Sequence, residues 1–247
     1  AKKETRIMRV IVCKNYEEVS EQAAKLVASQ ITLKPNSVLG LATGSTPIGM
    51  YQKLVEMYQK GELDFSDVTT FNLDEYYPIS NENNQSYHYF MNEHLFSKVN
   101  INPNKRYIPN GETTDPDAEC RRYEKLIDEA GGIDLQILGI GQNGHIGFNE
   151  PDDNLNCSTH LTELTENTIE VNSRFFEKKE DVPVYALTMG IAEILKSKKI
   201  VLLACGKSKH AAVAELLNEE INTLVPATML KVHPDVVLIC DEEAYND

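Results

Sequence analysis

The chain has 247 residues, 41% of them hydrophobic, and carries a formal net charge of −14. This length suits one large α/β domain or two small ones, and the acidic balance disfavours a nucleic-acid surface, which needs clustered Lys and Arg. No stretch approaches the roughly 20 apolar residues that span a bilayer, so we expect no membrane partner. The first ten residues carry charge but lack the apolar core of a secretory signal.

Apolar, strand-like runs alternate along the chain with segments of helical period. In chain order, the patterns predict a strand at 8–13, a helix at 16–31, a strand at 37–42, a helix at 47–59, a strand at 68–74, helices at 86–97 and 116–130, a strand at 134–140, a short helix at 188–196, a strand at 199–205, a helix at 208–218 and a last strand at 236–241. This alternation predicts an α/β fold in which helices cover both faces of a mostly parallel sheet. Ligands of such sheets bind outside the carboxyl ends of the strands.

The patterns indicate a single domain over residues 8–247, with a flexible tail at 1–7. Residues 152–185 are polar and weakly patterned, so we expect them to form a small lid within that domain. The five cysteines are odd in number and far apart, and no C-x-x-C occurs. This pattern is typical of a reduced, cytoplasmic protein.

A strand runs into Thr43, Gly44, Ser45 and Thr46, after which Pro47 opens a helix. Such a loop can hold a phosphate, because glycine allows close approach and the helix N-terminus favours an anion. An ordinary Ser/Thr helix cap explains the same residues equally well. The loop is neither a Walker motif nor a nucleophile elbow.

The stretch FNLDEYYP (71–78) places Asp74 and Glu75 just past a predicted strand. A carboxylate at that edge can act as a general base, although a solvated acidic turn is the commoner explanation of an Asp-Glu pair. Side chains alternate along a strand, so only one of the two can face a cleft. The pattern leaves open which one does.

The stretch GIGQNGHIGFNEP (139–151) contains the spacing G-x-G-x-x-G of a dinucleotide-binding turn. Gly147 and Pro151 bracket the residues that follow, which disfavours the helix that this turn requires. The remaining candidates are His145, which can exchange protons near neutrality, and Asn143 and Glu150, which can orient it. A buried histidine satisfied by backbone groups is the alternative.

Two cations are candidates for an anionic ligand: Arg174 in VNSRFF and Lys209 in CGKSKHAAV, with Lys207 equally suitable by spacing. Each alone is more typical of an exposed surface cation. The six histidines do not form a metal-binding pattern, and His88 and His94 are expected on a solvated helix.

Together these residues resemble the glucosamine-6-phosphate deaminase (isomerase) family from Met8 to about Asp241. The segments that carry the resemblance are LGLATGSTPIGMY, VTTFNLDEYY, SYHYFMNEHLF, DAECRRYE, LGIGQNGHIGFNEP, NSRFF, VPVYALTMGI and HPDVVLICDE. The related 6-phosphogluconolactonases share the fold but lack the Phe-Asn-Glu-Pro.

The resemblance implies a Rossmann-like fold and the conversion of glucosamine 6-phosphate and water to fructose 6-phosphate and ammonia, in amino-sugar (N-acetylglucosamine) breakdown. His145 would open the sugar ring, with Asn143 and Glu150 orienting it, and Asp74 would move a proton from C2 to C1. No cofactor or metal is implied. Motif alignment places the phosphate on Thr43, Gly44, Ser45 and Thr46 with Arg174 and with Lys209 rather than Lys207.

The sequence departs from the family pattern in two places. Many members carry Asp where this chain has Asn143, which cannot ionise, so we expect a shifted pH profile with Glu150 as the only tuning carboxylate. Allosteric members carry basic residues after the Glu-Pro and a longer tail, whereas this chain has DDNLNCSTHLTEL and ends soon after its last strand. We therefore expect a non-allosteric monomer or small homo-oligomer.

Two other functions are alternatives for a sequence of this kind. A phosphogluconolactonase, a simple ester hydrolase, would not need a base at C2. A sugar-phosphate-sensing domain of a repressor would need a DNA-binding helical segment, which the seven residues before the first strand do not provide.

Overall fold

A computed structural model describes residues 8–246, so the predicted tail at 1–7 lies outside the described residues. The strands are β1 Arg9–Cys13, β2 Val38–Leu41, β3 Thr69–Asn72, β4 Asp74–Tyr77, β5 Arg106–Tyr107, β6 Leu135–Gly139, β7 His160–Glu163, β8 Tyr185–Thr188, β9 Lys199–Ala204 and β10 Val236–Asp241. The helices are α1 Tyr16–Leu33, α2 Ile48–Gln59, α3 Tyr87–His94, α4 Pro116–Glu129, α5 Glu166–Ser173, α6 Ile191–Leu195, α7 His210–Leu217 and α8 Glu242–Tyr245. Short 3-10 turns cover Phe96–Lys98, Pro103–Lys105, Lys179–Asp181, Lys207–Lys209 and Pro226–Val232.

The main sheet of the described chain is parallel throughout, in the order β1-β10-β9-β6-β2-β3-β5. Its central strands are continuous apolar runs, such as VLGL in β2 and VVLICD in β10, and every residue of these two strands is buried. Strands covered on both faces have this composition. The prediction of a mostly parallel α/β sheet with helices is therefore confirmed.

The chain order reverses direction between β2 and β6, which are hydrogen-bonded neighbours. From β1 the chain moves through β2 to β3 in one direction, and from β6 it moves through β9 to β10 in the other. Right-handed crossovers then place helices on opposite faces and open a crevice at the reversal. The loops that follow β2 and β6 lie at this crevice, and they contain residues 43–46 and 140–150.

The prediction of one strand over 68–74 is wrong at its carboxyl end, because the chain passes from one sheet to another there. The Leu73 N–H donates to the Leu41 carbonyl of the main sheet at 3.1 Å, and the Leu73 carbonyl accepts from the Met189 N–H at 2.9 Å. Asp74 therefore begins β4 instead of following β3. β4 belongs to a small antiparallel sheet with the order β4-β8-β7.

The polar segment 152–185 supplies β7, α5 and the start of β8. Its strands pack beside β4, where Tyr76, Ile79, Leu164 and Ala186 form a small buried cluster. The action of this segment as a lid stays a prediction. Among residues 8–246, no helix combines the length and apolar character needed to cross a membrane.

Candidate active site

The loop at 43–46 joins β2 to α2 without a side-chain cap. Helix α2 begins after Pro47, and its N-cap position provides no side-chain hydrogen bond. Gly44 has a φ of 95°, a left-handed conformation that favours glycine. The structure therefore does not contain the ordinary Ser/Thr cap, and the half-exposed loop leaves amide donors at a helix N-terminus, where anions bind.

Three tyrosines hold the strand ends around the crevice, and the sequence patterns did not identify them. The hydroxyl of Tyr51 donates to the Ala42 carbonyl at 2.6 Å, and that of Tyr123 donates to the Asn72 carbonyl at 2.6 Å. The Tyr16 hydroxyl donates to the Ser45 carbonyl and accepts from the Gly49 N–H, both at 2.8 Å. These bonds fix the backbone immediately before Asp74 and around the 43–46 loop.

Asp74 is buried, with 7% of its surface exposed, and within the described chain its carboxylate has no side-chain or backbone hydrogen-bond donor. Burial raises its pKa to about 8, and the neighbouring negative charge of Glu75 adds to the shift. A β-carbon placed on Gly147 would lie 3.7 Å from Asp74 Oδ2, so the 140–150 loop passes beside this carboxylate. Asp74, not Glu75, is the carboxylate next to that loop.

His145 is held by an amide that also holds Glu150. The His145 N–H and Nδ1 lie 3.1 and 2.7 Å from Asn143 Oδ1, and Asn143 Nδ2 donates to Glu150 Oε2 at 2.9 Å. Glu150 Oε1 lies 3.5 Å from His145 Nδ1. An amide oxygen can only accept, so the proton of a neutral imidazole sits on Nδ1, and Nε2 keeps the lone pair.

The electrostatic surroundings favour the neutral imidazole of His145. Burial lowers its pKa, the Glu150 carboxylate opposes this shift, and the nearby Lys209 ammonium lowers the pKa further. The structure thus brings His145, Asn143, Glu150 and Asp74 to one edge of the sheet. Their catalytic roles stay a prediction.

The backbone of the histidine loop is braced from two sides, which the sequence did not indicate. The Gly144 carbonyl accepts from the Ala227 N–H at 2.8 Å, in the turn that precedes β10. Asn149 Nδ2 donates to the carbonyls of Ile146 and Met189, each at 2.9 Å. Because no helix occurs between Gly139 and His160 of the described chain, the glycine spacing does not form a dinucleotide-binding turn.

The two candidate cations differ in placement. Lys209 is half-buried, and its Nζ donates to the Ile140 carbonyl at 2.6 Å, just past β6; burial lowers its pKa. Lys207, which spacing could not distinguish from it, is exposed. Arg174 is exposed after α5, with its guanidinium 4.5 Å from the Phe175 ring centre, and within residues 8–246 it forms no hydrogen bond to the 43–46 loop.

His88 and His94 both lie on α3, a helix in which only Met91 is buried, so the expectation of a solvated helix is confirmed. His88 Nδ1 lies 2.8 Å from Oε2 of the fully buried Glu75, so the half-buried imidazole has a specific partner. In the described part of the chain, no group of three or more His, Cys, Asp or Glu side chains could hold a metal ion.

A buried aspartate, an oriented imidazole and a helix N-terminus without a Ser/Thr cap, all at the reversal of a parallel sheet, are typical of an α/β enzyme that acts on a small anionic substrate. Residues 14–238 match the family of glucosamine-6-phosphate isomerases/6-phosphogluconolactonase, and the chain belongs to this family.

Known relatives cover almost the whole chain. A glucosamine-6-phosphate deaminase of Halothermothrix orenii is 60% identical over 237 residues, which are 96% of this chain and 98% of the relative. The solved structure of a monomeric glucosamine-6-phosphate deaminase superposes with a TM-score of 0.93 at 48% identity, covering 96% of this chain and 98% of that one. A 6-phosphogluconolactonase of Thermotoga maritima shares the fold, with a TM-score of 0.75 at 22% identity, covering 95% of this chain and 100% of that one.

Proposed function

We propose that the protein is an isomerising deaminase that converts glucosamine 6-phosphate and water to fructose 6-phosphate and ammonia, in amino-sugar catabolism. One observation carries the proposal. A buried carboxylate without a hydrogen-bond donor, that of Asp74, and an oriented imidazole, that of His145, both lie at the crevice where the strand order reverses. A C2-to-C1 proton transfer needs such a base, and ring opening needs such an acid/base group. The similarity to deaminases at 57 to 60% identity supports the same assignment.

In the proposed sequence, His145 acts first. Its imidazole shuttles a proton to the ring oxygen as the hydroxyl at C1 loses one, which opens the pyranose to the aldehyde. Asn143 keeps the imidazole oriented, and Glu150 stabilises it when it is charged. Because His145 has a lowered pKa in the free protein, it begins the cycle neutral and can take up a proton.

Asp74 then carries the isomerisation. The carboxylate removes the C2 proton while the C1 carbonyl oxygen takes a proton from the cationic amine at C2. This leaves an enolamine with a hydroxyl at C1 and a neutral amine at C2, and the Asp74 carboxyl then returns its proton to C1. The product imine at C2 reacts with water, which leaves the ketone of fructose 6-phosphate and releases ammonia. A cationic substrate amine next to Asp74 favours its ionised form, so binding lowers the raised pKa at the moment the base is needed.

The phosphate is proposed to sit on the amides and hydroxyls of Thr43, Gly44, Ser45 and Thr46, at the N-terminus of α2, with Lys209 as a point charge. Arg174 is proposed to join this site when segment 152–185 closes as a lid. Arg174 is exposed, and within residues 8–246 it forms no hydrogen bond to the 43–46 loop. A crystal structure of the closed state with bound product tests the phosphate-binding role of Arg174. A distance above about 8 Å between the Arg174 guanidinium and the phosphate would exclude that role.

The test of the reaction is ammonia release from glucosamine 6-phosphate by the parent protein and by Asp74→Asn. We expect the variant to lose about 10³-fold in kcat, which is the range for a general base, while its Kd for substrate in calorimetry stays within a few fold. The matched control is Asp153→Asn at an exposed aspartate, which should retain parent activity.

A lactonase is the second candidate, and the same variants separate it. Ester hydrolysis of 6-phosphogluconolactone needs no base at C2, so Asp74→Asn would remain active on the lactone. Lactone turnover without ammonia release by the folded parent protein would overturn the deaminase assignment.

We further propose a monomer or small homo-oligomer without allosteric activation, located in the cytoplasm. The segment after Pro151, DDNLNCSTHLTEL, contains no Lys or Arg for an anionic activator, and a similar solved deaminase is described as monomeric. Five free cysteines fit a reducing compartment. Sedimentation analysis and substrate saturation curves with and without N-acetylglucosamine 6-phosphate test this, and a sigmoidal curve that the additive relieves would contradict it.

A further inference from the structure

Glu75, the residue after Asp74, is fully buried and has no Lys or Arg partner among residues 8–246. Its oxygens accept from the N–H groups of Tyr76 and Tyr87 at 2.9 Å and of His88 at 3.1 Å. His88 Nδ1 adds a fourth donor at 2.8 Å. Backbone N–H groups can only donate, so this arrangement favours a carboxylate, and such a number of donors is what a buried anion requires.

Two of these donors, Tyr87 and His88, are the first residues of α3. Glu75 therefore binds the N-terminal turn of a helix that follows β4 in the sequence, and the helix dipole favours the negative charge. The side chain of Ser86 caps the same turn by accepting from the Tyr89 N–H at 3.0 Å. The Ser86 cap stabilises the first turn of α3, while Glu75 fixes the position of that turn relative to Asp74.

From α3 the contact continues to the histidine loop. The ring of Tyr87 stacks on Phe148, with centroids 6.4 Å apart and planes 6° from parallel, and Tyr76 packs against Tyr87 at 4.8 Å. Phe148 lies between His145 and Glu150 in sequence, and its N–H donates to Thr188 Oγ1 on β8 at 3.2 Å. A shift of α3 would therefore displace the loop that carries both groups.

We propose that Glu75 is a positioning residue for the reaction: it ties β4 to the His145 loop through α3 and places a fixed negative charge beside Asp74. This inference rests on the proposed role of Asp74 as the base. Glu75 does not contact the substrate in this scheme, because its oxygens are fully occupied by α3 and by Tyr76.

The charge effect can be isolated because the hydroxyls around the two carboxylates stay neutral. Burial raises the pKa of Tyr76 to about 12 and those of Tyr87 and Tyr123 well above their ordinary value. The imidazole of His88 contacts Glu75 directly, and the loop that carries His145 and Glu150 passes beside Asp74. Substituting Glu75 therefore changes the charge beside Asp74 without ionising the three hydroxyls.

The test compares Glu75→Gln with Glu75→Asp by pH profiles of kcat/KM for ammonia release. Glu75→Gln keeps the length of the side chain but removes its charge, so the pKa of Asp74 should fall. The acid limb of the profile, where activity is lost as Asp74 takes up a proton, should therefore move to lower pH by about one unit. Glu75→Asp keeps the charge but is too short for α3, so the limb should stay in place while kcat falls about tenfold or more. KM should change less than about threefold in both.

A merely structural role would lower the activity of both variants and leave the limb unmoved in both, which would overturn the proposal. If Glu75→Gln does not fold, as near-ultraviolet circular dichroism would reveal, His88→Leu at a half-exposed position replaces it. This variant removes one donor from Glu75, so the charge is less compensated and the limb should move to higher pH. An unmoved or lowered limb in His88→Leu would also overturn the proposal.

Asp74→Asn, assayed in parallel, separates this inference from the proposed function. If Asp74→Asn retains turnover, the proposed function fails whatever Glu75 does. If Asp74→Asn is inactive and the Glu75 variants behave as a structural role predicts, only the present inference fails.

Discussion

The buried carboxylate of Asp74 should cost the fold stability at neutral pH, and Asp74→Asn should recover it. The folded state raises the pKa of this group from an ordinary value of 3.8 to about 8. The folded protein therefore holds the proton more tightly than the unfolded chain, so the free energy of unfolding is highest below pH 3.8 and falls until about pH 8. Within that window each pH unit costs about 1.4 kcal/mol.

Between pH 5 and pH 7, Asp74 alone should lower the free energy of unfolding of the parent by about 3 kcal/mol. Asparagine has the same shape but cannot ionise, so the variant lacks this slope. The variant should gain about 3 kcal/mol relative to the parent between the two pH values. For a protein whose total stability is of the order of 5–15 kcal/mol, this is a large change.

Guanidinium unfolding at pH 5, 6, 7 and 8, followed by circular dichroism, measures the effect. Asp153→Asn, at an exposed site, should follow the parent at every pH. Parallel pH dependences of Asp74→Asn and the parent, or a variant that is less stable at pH 7, would refute the reasoning, since either result means that Asp74 is not desolvated in the folded protein.

Two further predictions concern the geometry of the site. A β-carbon on Gly141 would overlap the His145 imidazole, so Gly141→Ala should displace the ring and lower kcat about 100-fold without loss of the folded signal. The control is Gly139→Ala, whose β-carbon meets no atom within 4 Å. Equal activity of the two variants would contradict the argument. Lys209→Gln should raise KM about 10- to 100-fold, the range for a lost charged hydrogen bond. In the same saturation assay, the KM of Lys207→Gln, at an exposed position, should stay within about twofold of that of the parent. The reverse order would assign the phosphate to Lys207.

The sequence predicts the main sheet well and the small sheet poorly, for a physical reason. β2, β9 and β10 lie in the middle of the parallel sheet, so each is an unbroken apolar run that periodicity detects. β4 and β7 read DEYY and HLTE, and both are short and polar. β4 is largely buried and β7 is partly exposed, and both depend on pairing with β8. No local signal marks such strands, because tertiary pairing decides them.

The candidate site was predictable in its residue types but not in its geometry. Chain position alone brought Asp74 and His145 to the same edge, because carboxyl ends of parallel strands share one edge. Spacing could not separate Lys209 from Lys207, since both lie in one turn and only burial distinguishes them. The anchoring hydroxyls of Tyr51 and Tyr123 could not be foreseen, because their partners are backbone carbonyls that the fold brings near.

Asn143 links His145 to Glu150, a connection that the sequence does not reveal. An amide cannot hold an imidazolium by charge, but Asn143 donates to Glu150 at 2.9 Å while accepting from His145 at 2.7 Å, so it joins the two groups in one chain of hydrogen bonds. An aspartate at this position would face the Glu150 carboxylate at that same separation. Two carboxylates so close must share a proton, which would leave one negative charge for the pair. The asparagine reaches the same net charge without a proton, so the tuning of His145 by Glu150 does not depend on a second titration.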